Sequence, residues 1–254
     1  MRGTETIALC GKGGVGKTSI CSLMVKHLAE AKGRKILAID ADPASRLAAS
    51  LGVGVKKSVD DIRKDLIGKI KKGEETDLTE MLHMLDYELF DALSESEGFA
   101  LLSIGRPEDE GCFCRVNSLL KDIIHDLAGG FDCVLIDGEA GIEQINRRVM
   151  KSVDHLIIVS DTSAKGVSVA RTIAAVAREN QAVGCRTMGL VLNRVRSEDE
   201  VRSIASNIDI EIYGYIPEDE VIRQYDFQGR PLLTVPDGSA AGRLSADIAK
   251  RFMK

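Results

Sequence analysis

Short apolar runs of strand length recur along the chain at 6–10, 35–40, 99–104, 133–137, 155–160, 188–193 and 210–216. Helical patterns separate most of them. In 18–32, for example, Ile20, Leu23, Met24, His27 and Leu28 fall on one side of a helix. Alternation of this kind predicts an α/β fold with a mainly parallel central sheet and helices on both faces. Ligand is then expected at the carboxyl ends of the strands, where Asp40, Asp137 and Asn193 terminate apolar runs. The stretch 55–96 carries no convincing strand. Its apolar residues, Ile62, Leu66 and Ile70, then Leu82, Leu85 and Leu89, repeat at helical spacing, which predicts a helical insertion between strands. With 254 residues, 44% of them hydrophobic, one large domain over 1–254 accounts for the whole chain.

Between the first run and the first helix stands GKGGVGKTS, residues 11–19. In the pattern G-x-x-x-x-G-K-[ST], glycines let the backbone curl so that successive N–H groups point at phosphate oxygens. Gly11, Gly13, Gly14, Val15, Gly16, Lys17, Thr18 and Ser19 are the candidate nucleotide-binding residues. Lys17 is placed to neutralise the β and γ phosphates and the Thr18 hydroxyl to ligate Mg²⁺, with the positive end of the following helix behind them. Lys12 is an additional cation early in the loop. Its neighbours crowd the backbone around the loop's own phosphates, so a nucleotide held by a second subunit is its more natural target; the alternative is a solvated loop lysine.

GKGGVGKT resembles the deviant Walker A signature of the ATPase family that includes MinD, ParA and the nitrogenase iron protein. The resemblance implies a homodimer in which Lys12 crosses the interface to the partner's phosphates and acts with Lys17 in catalysis. A cation so placed, like an arginine finger, is worth about 10³ to 10⁵ in rate. Ile39-Asp40-Ala41-Asp42-Pro43 resembles that family's switch I. There Asp42 would orient the attacking water and Asp40 would support the metal site; capping of the next helix is the other reading. The run 134–141 resembles the Walker B strand and switch II. Asp137 would hold Mg²⁺ through water, and Gly138 and Gly141 would let the loop move when the γ-phosphate leaves. Asn193 and Pro217, the latter in GYIPED, look like the family's adenine pocket, with a strand-end cap as the alternative for Asn193. ATP or ADP with Mg²⁺ is the implied ligand.

The formal net charge of −5 argues against a nucleic-acid surface. Lysines at 56–57 and 69–72 are interleaved with Asp60, Asp61, Asp65, Glu74 and Glu75, which reads as a solvated helical face. With no secretion signal and no apolar stretch of the ~20 residues a membrane span needs, a cytoplasmic protein without membrane attachment is expected. The six cysteines are then expected to be reduced. Cys10 and Cys133 in strands, Cys21 in the first helix and Cys185 in a loop read as small apolar groups. The dispersed histidines suggest no cluster, and His27 and His155 read as structural.

Cys112 and Cys114 differ from the other cysteines, lying in GCFCR ahead of a helix. In extended chain, side chains two apart project to the same side, roughly 6 to 7 Å from Cα to Cα. Two thiolates so arranged can grip a soft metal ion, but Zn²⁺ or square-planar Ni²⁺ wants four ligands. In a two-fold dimer the symmetry mate supplies the missing pair. With GKGGVGKTS, DADP, GCFCRVNS, DGEAGIE, LNRVR and IPED in order, the chain is similar to the CooC type of nickel-insertion ATPases. The resemblance implies Ni²⁺ or Zn²⁺ on Cys112 and Cys114, and a client enzyme, either carbon monoxide dehydrogenase or acetyl-CoA synthase.

Two other readings compete. An iron-protein-like reductase would hold a 4Fe-4S cluster across the dimer, yet that pattern needs a cysteine after the Walker B aspartate, and 138–141 has none. A MinD- or ParA-like positioning ATPase would need a detachable amphipathic tail for membrane binding. Leu244, Ile248 and Phe252 have the spacing, but the same positions suit a helix packed on the domain, which is the preferred reading.

Overall fold

A computed structural model describes residues 3–31, 33–72, 78–106, 114–138, 149, 152–179 and 184–253, without the side chains of 78–80 and 114–115. Its strands are β1 (Glu5–Cys10), β2 (Ile36–Asp40), β3 (Ser94–Ser96), β4 (Phe99–Ser103), β5 (Cys133–Asp137), β6 (Ser152–Ser160), β7 (Gly184–Val195) and β8 (Ile212–Pro217). They form one sheet in the order β3-β4-β2-β5-β1-β6-β7-β8. Only the β3–β4 pair is antiparallel among the described pairings. The strands bury both faces, which is why they read as near-continuous apolar runs.

The two-residue repeat of the strands sorts the core into two layers. Ala8, Leu37, Ile39, Val134, Ile136, Leu156, Ile158 and Leu190 face one side. There they meet α3 (Val59–Lys71), α4 (Leu78–Asp91), α5 (Cys114–Ala128) and α6 (Ala164–Glu179) through residues such as Ile62, Leu85, Leu89, Ile124 and Ile173. Ile7, Leu9, Ile36, Ala38, Leu135, Ile157 and Val191 face the other side. That side is covered by α1 (Lys17–Glu30), α2 (Arg46–Leu51), α8 (Glu220–Gln228) and α9 (Ala240–Lys250), while α7 (Glu198–Ala205), which follows β7, packs Val201 and Ile204 on the first side. The chain is thus a single α/β domain.

Helix starts follow the local chemistry. Ser58 and Asp61 form a reciprocal capping box at α3, and the Asp219 carboxylate accepts from Val221 and Ile222 at α8 while also holding the Ala241 amide of α9. α9 lies on α1 and β8, with Ile248 and Phe252 buried and the Phe252 ring 4.5 Å from that of His155. The apolar stripe at the end of the chain is therefore a packing face. His155 itself bonds Thr187 and Glu5, a satisfied structural position. Among the described residues no helix is long and apolar enough to cross a membrane.

The stretch 55–96 contains one strand that its pattern does not reveal. β3 is three residues, Ser94-Glu95-Ser96, paired on one edge only with β4, so it has no buried alternation to announce it. Its turn depends on Gly98, at φ +83°, where a Cβ would stand 2.5 Å from the Ala29 carbonyl oxygen. Cys185, expected in a loop, lies near the start of β7, whose first residues extend beyond the apolar run.

Leu85 and Leu89 of α4 are fully buried in the shared core. Leu85→Ala is expected to destabilise the whole domain by about 2–5 kcal/mol in a single cooperative transition, as chemical denaturation would measure. A separate early transition would instead mark α4 as an independent unit.

Candidate functional site: the phosphate loop and its carboxylates

The loop between β1 and α1 is held by close approaches that only glycine permits. At Gly11, φ +147°, a Cβ would lie 2.1 Å from the Val159 carbonyl oxygen of β6; at Gly16, φ +94°, it would lie 2.2 Å from Asn193 Nδ2 of β7. At Gly13 and Gly14 an added Cβ would meet nothing within 4 Å, and both residues line the cleft. The first turn of α1 has neither a side-chain cap nor an acidic residue, so its N–H groups face the cleft as an anion site. Lys17 Nζ donates to the carbonyl oxygens of Gly11 and Lys12, at 3.0 and 3.2 Å. Burial pushes the Lys17 pKa down and Asp137 opposes that shift. Lys12 itself is half-buried, and its ammonium has no hydrogen-bond or ion-pair partner among the described residues.

At the carboxyl ends of β2 and β5, Asp40 and Asp137 are register partners and both are buried. Thr18 Oγ1 donates to Asp137 Oδ2 at 2.6 Å. Asp137 Oδ1 is buried with no hydrogen-bond partner among the described residues. Burial pushes the Asp137 pKa up to about 7, the Thr18 hydrogen bond pulls it down, and the Asp40 charge raises it again. A half-satisfied buried carboxylate beside a threonine hydroxyl and a loop lysine is a donor set that fits Mg²⁺. Thr18 and Asp137 would hold the ion, which would neutralise charge on the β and γ phosphates.

Asp40, expected to support that metal, is held by backbone amides. Oδ2 accepts from the Ala48 amide at 3.1 Å and Oδ1 from the Asp42 amide at 3.2 Å, so both oxygens hold the switch segment and the start of α2. The contact with the Ala48 amide is the one that the helix-capping reading expects. Burial raises the Asp40 pKa to about 6 against the pull of those amides. Asp42 lines the cleft, with Oδ1 on the Ala44 amide and Oδ2 3.7 Å from Arg46 Nε.

From the loop the cleft, about 580 Å³ in volume, runs past Ser50 to Arg194, Ile222, Tyr225, Arg230 and Leu232. The Arg230 guanidinium stacks 4.1 Å over the Tyr225 ring, whose hydroxyl donates to the Thr234 carbonyl. The two residues expected in an adenine pocket are not among those lining this cleft. Asn193 Nδ2 donates to the Val15 carbonyl oxygen at 2.8 Å, and Pro217 ends β8 opposite Val195. Arg194, Tyr225 and Arg230 went unread in the sequence. For Arg194 the signal lay in its neighbour Asn193, but the φ of +57° that turns it into the cleft has no sequence mark.

Cys112 and Gly141 lie outside the described residues, as does the side chain of Cys114, whose backbone opens α5. Among the described residues no group of three or more His, Cys, Asp or Glu is assembled to hold a metal. Cys10, Cys21 and Cys133 are buried core thiols, and burial pushes Cys10 and Cys133 up to about 12.

The raised carboxylates fix a pH dependence. Asp137 binds its proton more tightly folded (about 7) than at its ordinary 3.8, so the nucleotide-free domain loses stability as the pH rises between these values, by on the order of 4 kcal/mol in all. Asp137→Asn is expected to flatten the fall in melting temperature between pH 5 and 8. It should also lower Mg²⁺-dependent ATP hydrolysis by about 100-fold or more. An unchanged pH profile in the variant would exclude Asp137 as the source.

Residues 7–232 match the family described as the CobQ/CobB/MinD/ParA nucleotide binding domain. The chain is 36% identical to an uncharacterized ATP-binding protein of Methanocaldococcus jannaschii, across 97% of this chain and 98% of that one. It is 31% identical to the carbon monoxide dehydrogenase accessory protein CooC of Rhodospirillum rubrum, across 88% and 87%. In fold it is similar to the septum site-determining protein MinD of Pyrococcus horikoshii complexed with Mg-ADP, with a TM-score of 0.68 at 22% identity over 98% of this chain and 95% of that one. Apo McdA from Cyanothece is comparable, with a TM-score of 0.70 at 22% identity over 99% and 100%. The phosphate loop, the aspartates beneath it and these similarities agree: the chain belongs to the CobQ/CobB/MinD/ParA family and is a P-loop ATPase that binds ATP or ADP with Mg²⁺.

Proposed function

We propose that this ATPase is a dimeric, cytoplasmic metallochaperone that couples ATP hydrolysis to nickel delivery into a metalloenzyme of the carbon monoxide dehydrogenase or acetyl-CoA synthase type. The observation that carries this reading is the sequence Cys112-x-Cys114, whose second cysteine opens α5. That segment follows β4 in the chain, and Ser103, the last residue of β4, is level with Asp40. The similarity to a carbon monoxide dehydrogenase accessory protein over most of both chains supports the client class. The packed stripe of α9 disfavours a membrane-binding tail.

In this reading the cargo ion, Ni²⁺ with Zn²⁺ as its competitor, is shared by Cys112 and Cys114 of two protomers. Asp42 orients the attacking water, and Lys12 reaches the partner's phosphates. Thiolate ligands must lose protons to bind, so metal affinity falls at acid pH.

Anaerobic size-exclusion chromatography with metal quantification tests the assignment. With ATP, one nickel or zinc per two chains is expected in a dimer, and a Cys112→Ala, Cys114→Ala double variant is expected to lose it while still hydrolysing ATP. Equal metal retention by that variant, or a brown iron–sulfur chromophore in the wild type, would reject the chaperone. Separately, Lys12→Ala is expected to lower kcat by about 10³ or more with a much smaller change in ATP affinity; turnover near that of the wild type would remove the crossing lysine.

A further inference from the structure

We propose that Asn193 is a positioning residue for the phosphate loop, holding it in its nucleotide-ready curvature before any nucleotide arrives. The loop is pinned at two points by strands that do not flank it. Its start, at Gly11, presses against the Val159 carbonyl of β6, and its end, at Val15 and Gly16, rests on the Asn193 amide of β7. At Gly13 and Gly14, between the pins, an added Cβ would meet nothing within 4 Å. The acceptor at the second pin is a carbonyl oxygen, so only the NH₂ of Asn193 can face it, and the orientation of the amide follows from chemistry. Asn193 is 8% exposed, which strengthens the bond and leaves Val15 O without a water to replace a lost donor.

The same strand end explains how two neighbouring side chains serve different parts of the site. The β7–β8 register shifts between Asn193 and Val195, and Arg194 sits there at φ +57°. Bulges re-aim side chains beside active sites. Here the bulge sends Arg194 into the cleft while Asn193 stays beneath the loop. Gly16 admits this arrangement, because any larger residue would collide with the Asn193 amide. Preorganisation of this kind raises affinity for the phosphates whatever base is attached, which separates a loop pin from a base contact. The assignment rests on the ATPase alone and is independent of the metal reading.

Hydrogen exchange of the nucleotide-free protein, followed by mass spectrometry of peptides covering 11–18, tests it directly, with Asn193→Ala and the near-isosteric Asn193→Asp compared with wild type. Both variants are expected to exchange several-fold faster in that loop, while peptides from β1 and the middle of α1 keep wild-type protection. The dissociation constants of Mg²⁺–ATP and of Mg²⁺–tripolyphosphate, which has no base, are expected to rise together, by about 5- to 10-fold in Asn193→Ala, the scale of one lost hydrogen bond. Wild-type loop exchange in both variants, or weaker ATP binding with unchanged tripolyphosphate binding, would overturn the proposal and return Asn193 to base recognition.

Discussion

Two carboxylates stand level with each other at the ends of adjacent parallel strands, Asp40 on β2 and Asp137 on β5, both out of reach of water. Like charges buried side by side are unfavourable unless each has partners. The fold answers differently for the two. Asp40 is saturated by the amides of Ala48 and Asp42, and so becomes part of the scaffold that places switch I. Among the described residues Asp137 receives only the Thr18 hydroxyl and the more distant field of Lys17, which leaves one oxygen without a partner there. That residual demand for positive charge makes the site a receptor for a metal–nucleotide complex, and it is paid for in the stability of the empty domain.

The sheet makes this placement possible. Because alternate residues of every central strand enter opposite core layers, the strand ends are fixed from both sides, and their last residues project into the loop cluster above. β1 lies between β5 and β6, so the phosphate loop emerges beside Asp137 on one flank and Val159 on the other. Its curvature is therefore set by neighbours far away in sequence, with glycine wherever those neighbours come closest.

What could be read from residues alone follows from this division. The central strands, the phosphate loop and Asp137 were legible because burial on two faces and phosphate geometry each demand a narrow set of residue types in a fixed order. The edge strand β3 was not, since three polar residues paired on one side are under no such demand. Asp40 was recognised, but a carboxylate at a strand end suits a metal or a helix start equally, and its contact with the Ala48 amide has no mark in the sequence. Arg194 was hidden more deeply, because a left-handed residue at a bulge leaves no periodicity to detect.

The proposed link between nucleotide and metal would run through a chain of contacts among the described residues. The Asp40 carbonyl accepts from the Ile104 amide, and the Ile104 carbonyl accepts from the Asp60 amide in the first turn of α3. In that same turn the buried Arg63 reaches Asp60 and donates through Nε to Asn117 Oδ1 at 2.9 Å, one turn into the helix that Cys114 opens. A buried arginine bridging two helix starts is a costly way to gain stability, and an apolar pair of the same volume would do as well or better. Its value lies in geometry. It ties the start of α5 rigidly, through the end of β4, to the strand that carries the switch I aspartates. In the proposed metallochaperone, this bonded chain is the route by which a displacement of switch I would reach the start of α5.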